Sequence, residues 1–199
     1  MLAIFKREFK SYFQNVIGWL FVAALLAVYG LYFYVYNLKN GYPYISYDLN
    51  GIGFIMMIAV PILTMRSLSD EKKTKTDQLM LTSPVSVGRI VAGKYFAMAA
   101  VYTIVIALFA LSPLVLSIYG KVALSEAYVA LFGYWLYGLS CIAVGLFISS
   151  ISESVIISAI LTFTALFLSY MMQSITGLIS SSGNLLTKVL NCFDLYTPF

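Results

Sequence analysis

Apolar residues arrive in long runs separated by short polar breaks. Segments 11–38, 49–65, 95–120, 127–152 and 154–187 contain no charged side chain. Each is long enough for a bilayer-spanning helix, which needs roughly 17–25 residues. The pattern predicts spans at about 16–36, 52–66, 95–119, 128–150 and 155–178. The expected fold is therefore an all-α, polytopic helical membrane protein, residues 1–199 forming one transmembrane domain with five membrane helices.

Ahead of the first run the pattern changes period. Leu2, Phe5, Phe9, Tyr12, Phe13 and Val16 fall on one side of a helical wheel, and Lys6, Arg7, Lys10, Ser11, Gln14 and Asn15 on the other. A 3.6-residue segregation with cations on the polar face predicts a helix over 2–14 lying in the membrane interface. Gly18-Trp19 then marks the entry to the bilayer. Further along, Tyr42, Tyr44 and Tyr47 continue a tyrosine-rich run that starts at Tyr29, the composition of an interfacial aromatic belt.

Composition agrees with the pattern. Of 199 residues, 61% are hydrophobic and 10% charged, where a soluble domain carries about 25% charged residues. Sorting the charges by segment gives an orientation. The N-terminal ten residues carry a net +2, segment 66–94 a net +3, and the turn between spans four and five only Glu153. The other three segments balance, Lys39 against Asp48, Lys121 against Glu126 and Lys188 against Asp194. All of the net +4 and nine of the twelve basic residues then lie on one side. The positive-inside rule makes that side, and the N-terminus, cytoplasmic; the expected location is the cell membrane.

The chain has no histidine, which excludes histidine acid–base catalysis and imidazole metal ligation. Cys141 and Cys192 form no C-x-x-C and read as small hydrophobes. No catalytic, cofactor or metal site is predicted. Gly133, Gly138 and Gly145 in span four favour close helix approach, and Pro61 and Pro113 mark bends. No ionisable residue falls clearly within a predicted span, Arg66 standing at the boundary of the second, which argues against a proton- or sodium-coupled transporter.

The one sizeable hydrophilic block is 66–94. Ser67 or Ser69 can cap a short helix whose first turn holds Asp70 and Glu71, where the helix dipole favours acids. Glu71 and Lys75 stand at i,i+4, Leu79, Met80 and Leu81 give an apolar end, and Pro84 forbids continuation. Gly88 to Lys94 fits G-x-x-x-x-G-K, but Tyr95 replaces the Ser/Thr that a phosphate loop needs and no strand precedes it. Nucleotide binding by this chain is therefore not expected. Both glycines are expected on a helix entering the bilayer, with Lys94 snorkelling to the headgroups.

In order, Asp70-Glu71-Lys72-Lys73, Thr76-Asp77-Gln78-Leu79-Met80-Leu81, Ser83-Pro84-Val85-Ser86 and Gly93-Lys94 resemble the loop of the permease subunits of type-two ABC exporters. Lys75 stands where that family usually has Gly. Phe5-Lys6-Arg7-Glu8-Phe9 is similar to its N-terminal interfacial helix, and Gly145-Leu146-Phe147-Ile148-Ser149-Ser150 to its fourth-span exit. The resemblance implies a multi-pass exporter permease without catalytic residues of its own. It implies a coupling helix, with Asp70, Glu71, Lys72, Lys73, Thr76, Asp77, Leu79, Met80 and Leu81, docking on a separate cytoplasmic ATP-binding subunit. Two such subunits and a second permease copy are the implied partners, with ATP and Mg²⁺ bound by the ATP-binding subunits and no cofactor in this chain. The family normally has six spans. The apolar spacing of Leu185, Leu186, Val189, Leu190 and Phe193 suggests short outer helices before a sixth, so a C-terminally truncated chain is expected. A non-transporting membrane scaffold or immunity-type protein, recruiting a cytoplasmic partner through 66–94, is the alternative reading.

Overall fold

A computed structural model describes residues 2–42, 45–73, 86–119 and 123–179. Among them all regular structure is helical: α1 (Leu2–Gln14), α2 (Val16–Tyr32), a π-helix (Phe33–Lys39), α3 (Ser46–Thr64), α4 (Ser69–Lys73), α5 (Val87–Phe109), α6 (Ser112–Tyr119), α7 (Leu124–Ile151) and α8 (Val155–Ile179). Four helical stretches among the described residues, Val16–Lys39, Ser46–Lys72, Val87–Ile118 and Leu124–Ile151, are long and apolar enough to cross a membrane. Val155–Met171 is a shorter apolar helix beside them. The chain is thus an all-α polytopic membrane protein.

Its core lies between α2, α3, α5 and α7, where Phe21, Leu25, Met56, Met57, Val60, Met98, Tyr102 and Ile142 are fully buried. Large apolar side chains also point outward, among them Val129, Phe147, Ile156 and Ile160, as lipid-facing positions must when the solvent is hydrocarbon. Two glycines of α7 let helices touch. A Cβ at Gly138 would run into the ring of Tyr102, whose hydroxyl donates to the Tyr134 carbonyl at 2.7 Å. A Cβ at Gly145 would stand 2.5 Å from Thr64 Oγ1. The glycine signal in span four therefore reports close contact of α7 with α5 and α3.

The two prolines behave differently. Pro61 is carried inside α3. Pro113 sits in the first turn of α6, after α5 has ended at Phe109. Ser112 Oγ donates to the Phe109 carbonyl at 2.7 Å and pairs with the Tyr29 hydroxyl, so the break is bonded to α2.

One expectation is corrected. Helix α3 starts at Ser46, ahead of the expected boundary at 52, and takes Asp48 into its first turn, fully buried. The π-helix brings Asn37 to it, and Asn37 Nδ2 donates to Asp48 Oδ2. The apolar bundle therefore does contain an ionisable residue. The period-based boundary missed it because Gly51 and Gly53 interrupt the apolar pattern; at Gly51 the missing side chain makes room for the Tyr32 ring.

Candidate functional site

At the end of α3 the chain turns sharply. Ser67 N–H donates to the Thr64 carbonyl at 3.0 Å, and Ser69 Oγ donates to the Met65 carbonyl. These bonds start α4, whose first turn holds Asp70 and Glu71. The opening of this helix is held from outside. Ser149, fully buried near the end of α7, accepts from the N–H groups of Leu68 and Ser69 at 3.2 Å each. Helix starts leave their first N–H groups without internal partners, and here a serine two spans away satisfies two amides at the α4 start. Lys72 Nζ donates to the neighbouring Ser150 carbonyl, so α4 is fastened to α7 on both sides.

Lys94, in the second turn of α5, closes the site. Its side chain is 2% exposed. Nζ donates to the Ser67 carbonyl and to Glu71 Oε1, both at 2.7 Å, and Glu8 Oε1 of α1 lies 3.7 Å away. Arg7 Nη2 donates to Glu8 Oε1 at 2.8 Å and reaches to 4.0 Å from Glu71. Two cations and two carboxylates thus make a neutral node. Burying an ammonium costs several kcal/mol, and the paired carboxylates with the Ser67 carbonyl are what offset it. The expectation that Lys94 snorkels to the headgroups is overturned. Folding puts two acids and a carbonyl within its reach, so its charge is satisfied inside the protein.

Helix α1 gives Arg7 and Glu8 to the node and packs along its apolar side. Phe5, Phe9, Phe13 and Trp19 form a ladder with successive ring centroids 5.8, 5.0 and 5.4 Å apart. Trp19 Nε1 donates to the Phe13 carbonyl at 2.9 Å, which fixes the turn into α2. Lys6, Arg7 and Lys10 are exposed on the other side. Gly93 lets α1 lie close, since a Cβ there would stand 3.0 Å from Ile4 Cγ2. Tyr12 OH donates to the Leu63 carbonyl at 3.5 Å, and burial, then the Glu8 carboxylate, pushes its phenol above the ordinary tyrosine range. Beside the node a cavity of about 500 Å³ opens, lined by Arg7, Glu8, Tyr12, Arg66, Asp70 and Lys94 among others.

The structure therefore brings together part of the expected site. Glu71 and Lys72 make contacts to α5 and α7, Asp70 is exposed at the cavity, and Lys73 ends α4. Thr76, Asp77, Leu79, Met80 and Leu81 lie outside the described residues, as does Lys75, the expected partner of Glu71. Phe5 and Phe9 face inward from α1. Glu8, Ser67, Ser149 and Lys94 were not singled out as site residues by the sequence. The signals for them were Ser67 as a candidate cap and the family-like segments that contain Glu8, Lys94 and Ser149.

The arrangement suits mechanics. Helix α4 is bonded to α5 through Lys94, to α7 through Ser149 and Ser150, and through Lys94 and Arg7 to α1. A displacement of α4 is shared by three other helices, the way a rigid-body push passes through packed elements. Among the described residues no three His, Cys, Asp or Glu side chains gather as a metal set.

A family model described as ABC-2 family transporter protein matches residues 10–199. No curated protein and no solved structure matches the chain.

Proposed function

The chain belongs to the ABC-2 family of transporter proteins, and on that premise we propose that it couples a separate cytoplasmic ATP-binding subunit to the export of a substrate. It is the membrane permease of the pair. ATP and Mg²⁺ are bound by the partner, two copies of which work with two permeases in the cell membrane. The N-terminus and the 66–94 loop face the cytoplasm, as their net charges of +2 and +3 favour. Helix α1 lies in the inner membrane interface with Lys6, Arg7 and Lys10 toward the headgroups and Phe5 and Phe9 toward the bundle.

One observation carries this reading: the Lys94–Glu71 contact at 2.7 Å joins the two ends of the loop. A partner that engages Asp70 to Leu81 pulls on Glu71, and the load reaches α5, α1 and α7 at once. The chemistry of docking is mixed. Asp70, Glu71, Lys72, Lys73, Thr76 and Asp77 supply polar contacts, and Leu79, Met80 and Leu81 an apolar end.

The test is co-purification of the full chain with its ATP-binding subunit. Asp77→Ala with Leu79→Ala is expected to leave membrane insertion intact and to release the subunit. Retention of the subunit at the wild-type ratio would falsify the docking assignment. An ATPase rate that is the same with and without the permease argues for the scaffold alternative.

A further inference from the structure

The node described above uses no residue from the opposite end of the bundle, where a second buried polar group stands alone. Asn37, in the π-helix, is 5% exposed, and Asp48, in the first turn of α3, is fully buried. They share one hydrogen bond, from Asn37 Nδ2 to Asp48 Oδ2. The remaining oxygens, Asn37 Oδ1 and Asp48 Oδ1, have no partner. Asp48 takes part in none of the ion pairs among the described residues. A π-helix is rare and occurs frequently at functional sites.

Two buried acceptors without donors are costly, and a buried carboxylate without a cation more so. One hydrogen cancels both penalties. A protonated Asp48 turns an acceptor into a donor and leaves no buried charge. Acid and carboxamide can then make two bonds, the amide N–H to one carboxyl oxygen and the acid O–H to the amide oxygen. We propose that Asn37 and Asp48 form a proton-binding site, in which Asp48 is held as the neutral acid by the Asn37 carboxamide. The proton exchanges with water as –COOH giving –COO⁻ and H⁺, and no other reactant is involved.

The surroundings fit a proton better than a bridging cation, which needs several oxygen ligands. Helices α2, α7 and α8 and the π-helix pack against α3. Among the described residues they carry one cation, Lys39, one other acid, Glu126, and phenols that include Tyr29, Tyr32, Tyr36 and Tyr170; the Asp48 carboxylate is hydrogen-bonded to Asn37 alone and stands in no ion pair. Lys39 is exposed. The Tyr29 phenol is bonded to Ser112 at the α5–α6 break and not to Asp48. Losing the proton places a charge that only water or separation of the pair can relieve. The protonation state is thereby tied to the contact between the π-helix and α3.

Infrared difference spectroscopy of the full chain in lipid nanodiscs, titrated with pH, tests this. The wild type is expected to show a protonated-carboxyl C=O stretch that persists above the ordinary carboxyl range of about 4. That band is absent from Asp48→Asn and displaced in Asn37→Ala, where the acid loses its partner. Aspartate-specific carbon-13 labelling of the wild type must also shift it, a readout that needs no variant to assemble. A spectrum without such a band, or a band indifferent to the label, overturns the proposal. So does a band lost with sodium at fixed pH, which makes the pair a cation site.

Discussion

Glu71 and Lys94 stand 23 residues apart and meet at 2.7 Å, with the lysine buried and the carboxylate 19% exposed. The pair closes the ends of the 66–94 loop into a ring and fixes where α4 sits over the membrane helices. Lys94→Met keeps the length and apolar stem of the side chain but removes its charge, leaving Glu8 and Glu71 with Arg7 as their remaining cation. Removing one partner of a buried pair costs about 3–5 kcal/mol, and partial exposure of both acids puts this case at the low end. Thermal unfolding in detergent should show a clear fall in Tm. Adding Glu71→Gln should cost less in Lys94→Met than in the wild type, because the two changes remove the same interaction. Strictly additive effects would show that the two side chains do not couple.

Ser149 ties the loop to α7 by accepting two amide hydrogens at 3.2 Å. Ser149→Ala adds no bulk and removes that acceptor together with the hydroxyl's own donation to the Met65 carbonyl at 3.5 Å. Uncapping a helix start costs about 1 kcal/mol, so the bundle should remain folded while α4 loosens. Hydrogen exchange is the direct readout. The amides of Leu68 and Ser69 should exchange faster by roughly fivefold, as 1 kcal/mol implies, with the core amides of α3 and α7 unchanged. Unaltered exchange at both residues would remove Ser149 from the linkage.

The sequence showed the membrane helices plainly, because length and apolarity are properties of the segment itself. It also showed which helix face of α1 is apolar, since Phe5, Phe9 and Phe13 recur at helical spacing. What it lacked were pairings set by three-dimensional approach. Lys94 next to an apolar run has the local signature of a snorkelling residue, and only the packing of α1 and α4 against α5 supplies the acids that bury it. Ser149 is one serine among several at a helix end. Asp48 fell outside the apolar count because Gly51 and Gly53 weaken the period, though Gly51 makes room for the Tyr32 ring of α2. Charge balance by segment is equally blind to burial: Lys39 and Asp48 cancel arithmetically, yet one is exposed and the other enclosed.

The cytoplasmic placement of the N-terminus and of the loop has its own test. Lys10, Ser86 and Lys39 are exposed and can each be replaced by cysteine in a Cys192→Ser background, where Cys141 is buried. A membrane-impermeant maleimide should label Lys39→Cys in intact cells. Lys10→Cys and Ser86→Cys should be labelled only after the membrane is opened. The reverse pattern would invert the orientation and move the loop away from any cytoplasmic ATP-binding subunit.

Gly145 and Gly88 offer a matched pair, both helical glycines near the same end of the bundle and opposite in their surroundings. A Cβ at Gly145 would stand 2.5 Å from Thr64 Oγ1 and 3.0 Å from Thr64 Cβ. Thr64 cannot move aside easily, being fully buried with its hydroxyl donating to the Val60 carbonyl at 3.0 Å. Gly145→Ala should therefore cost about 1–3 kcal/mol as overpacking, and a lower Tm should report it. At Gly88 nothing lies within 4 Å of the added carbon. Gly88→Ala should gain up to about 1 kcal/mol, the helix preference of alanine over glycine. Opposite signs are the expected result. A neutral Gly145→Ala would mean that α3 and α7 do not meet at Thr64, and the route from α4 into α7 would then rest on Ser149 and Ser150 alone.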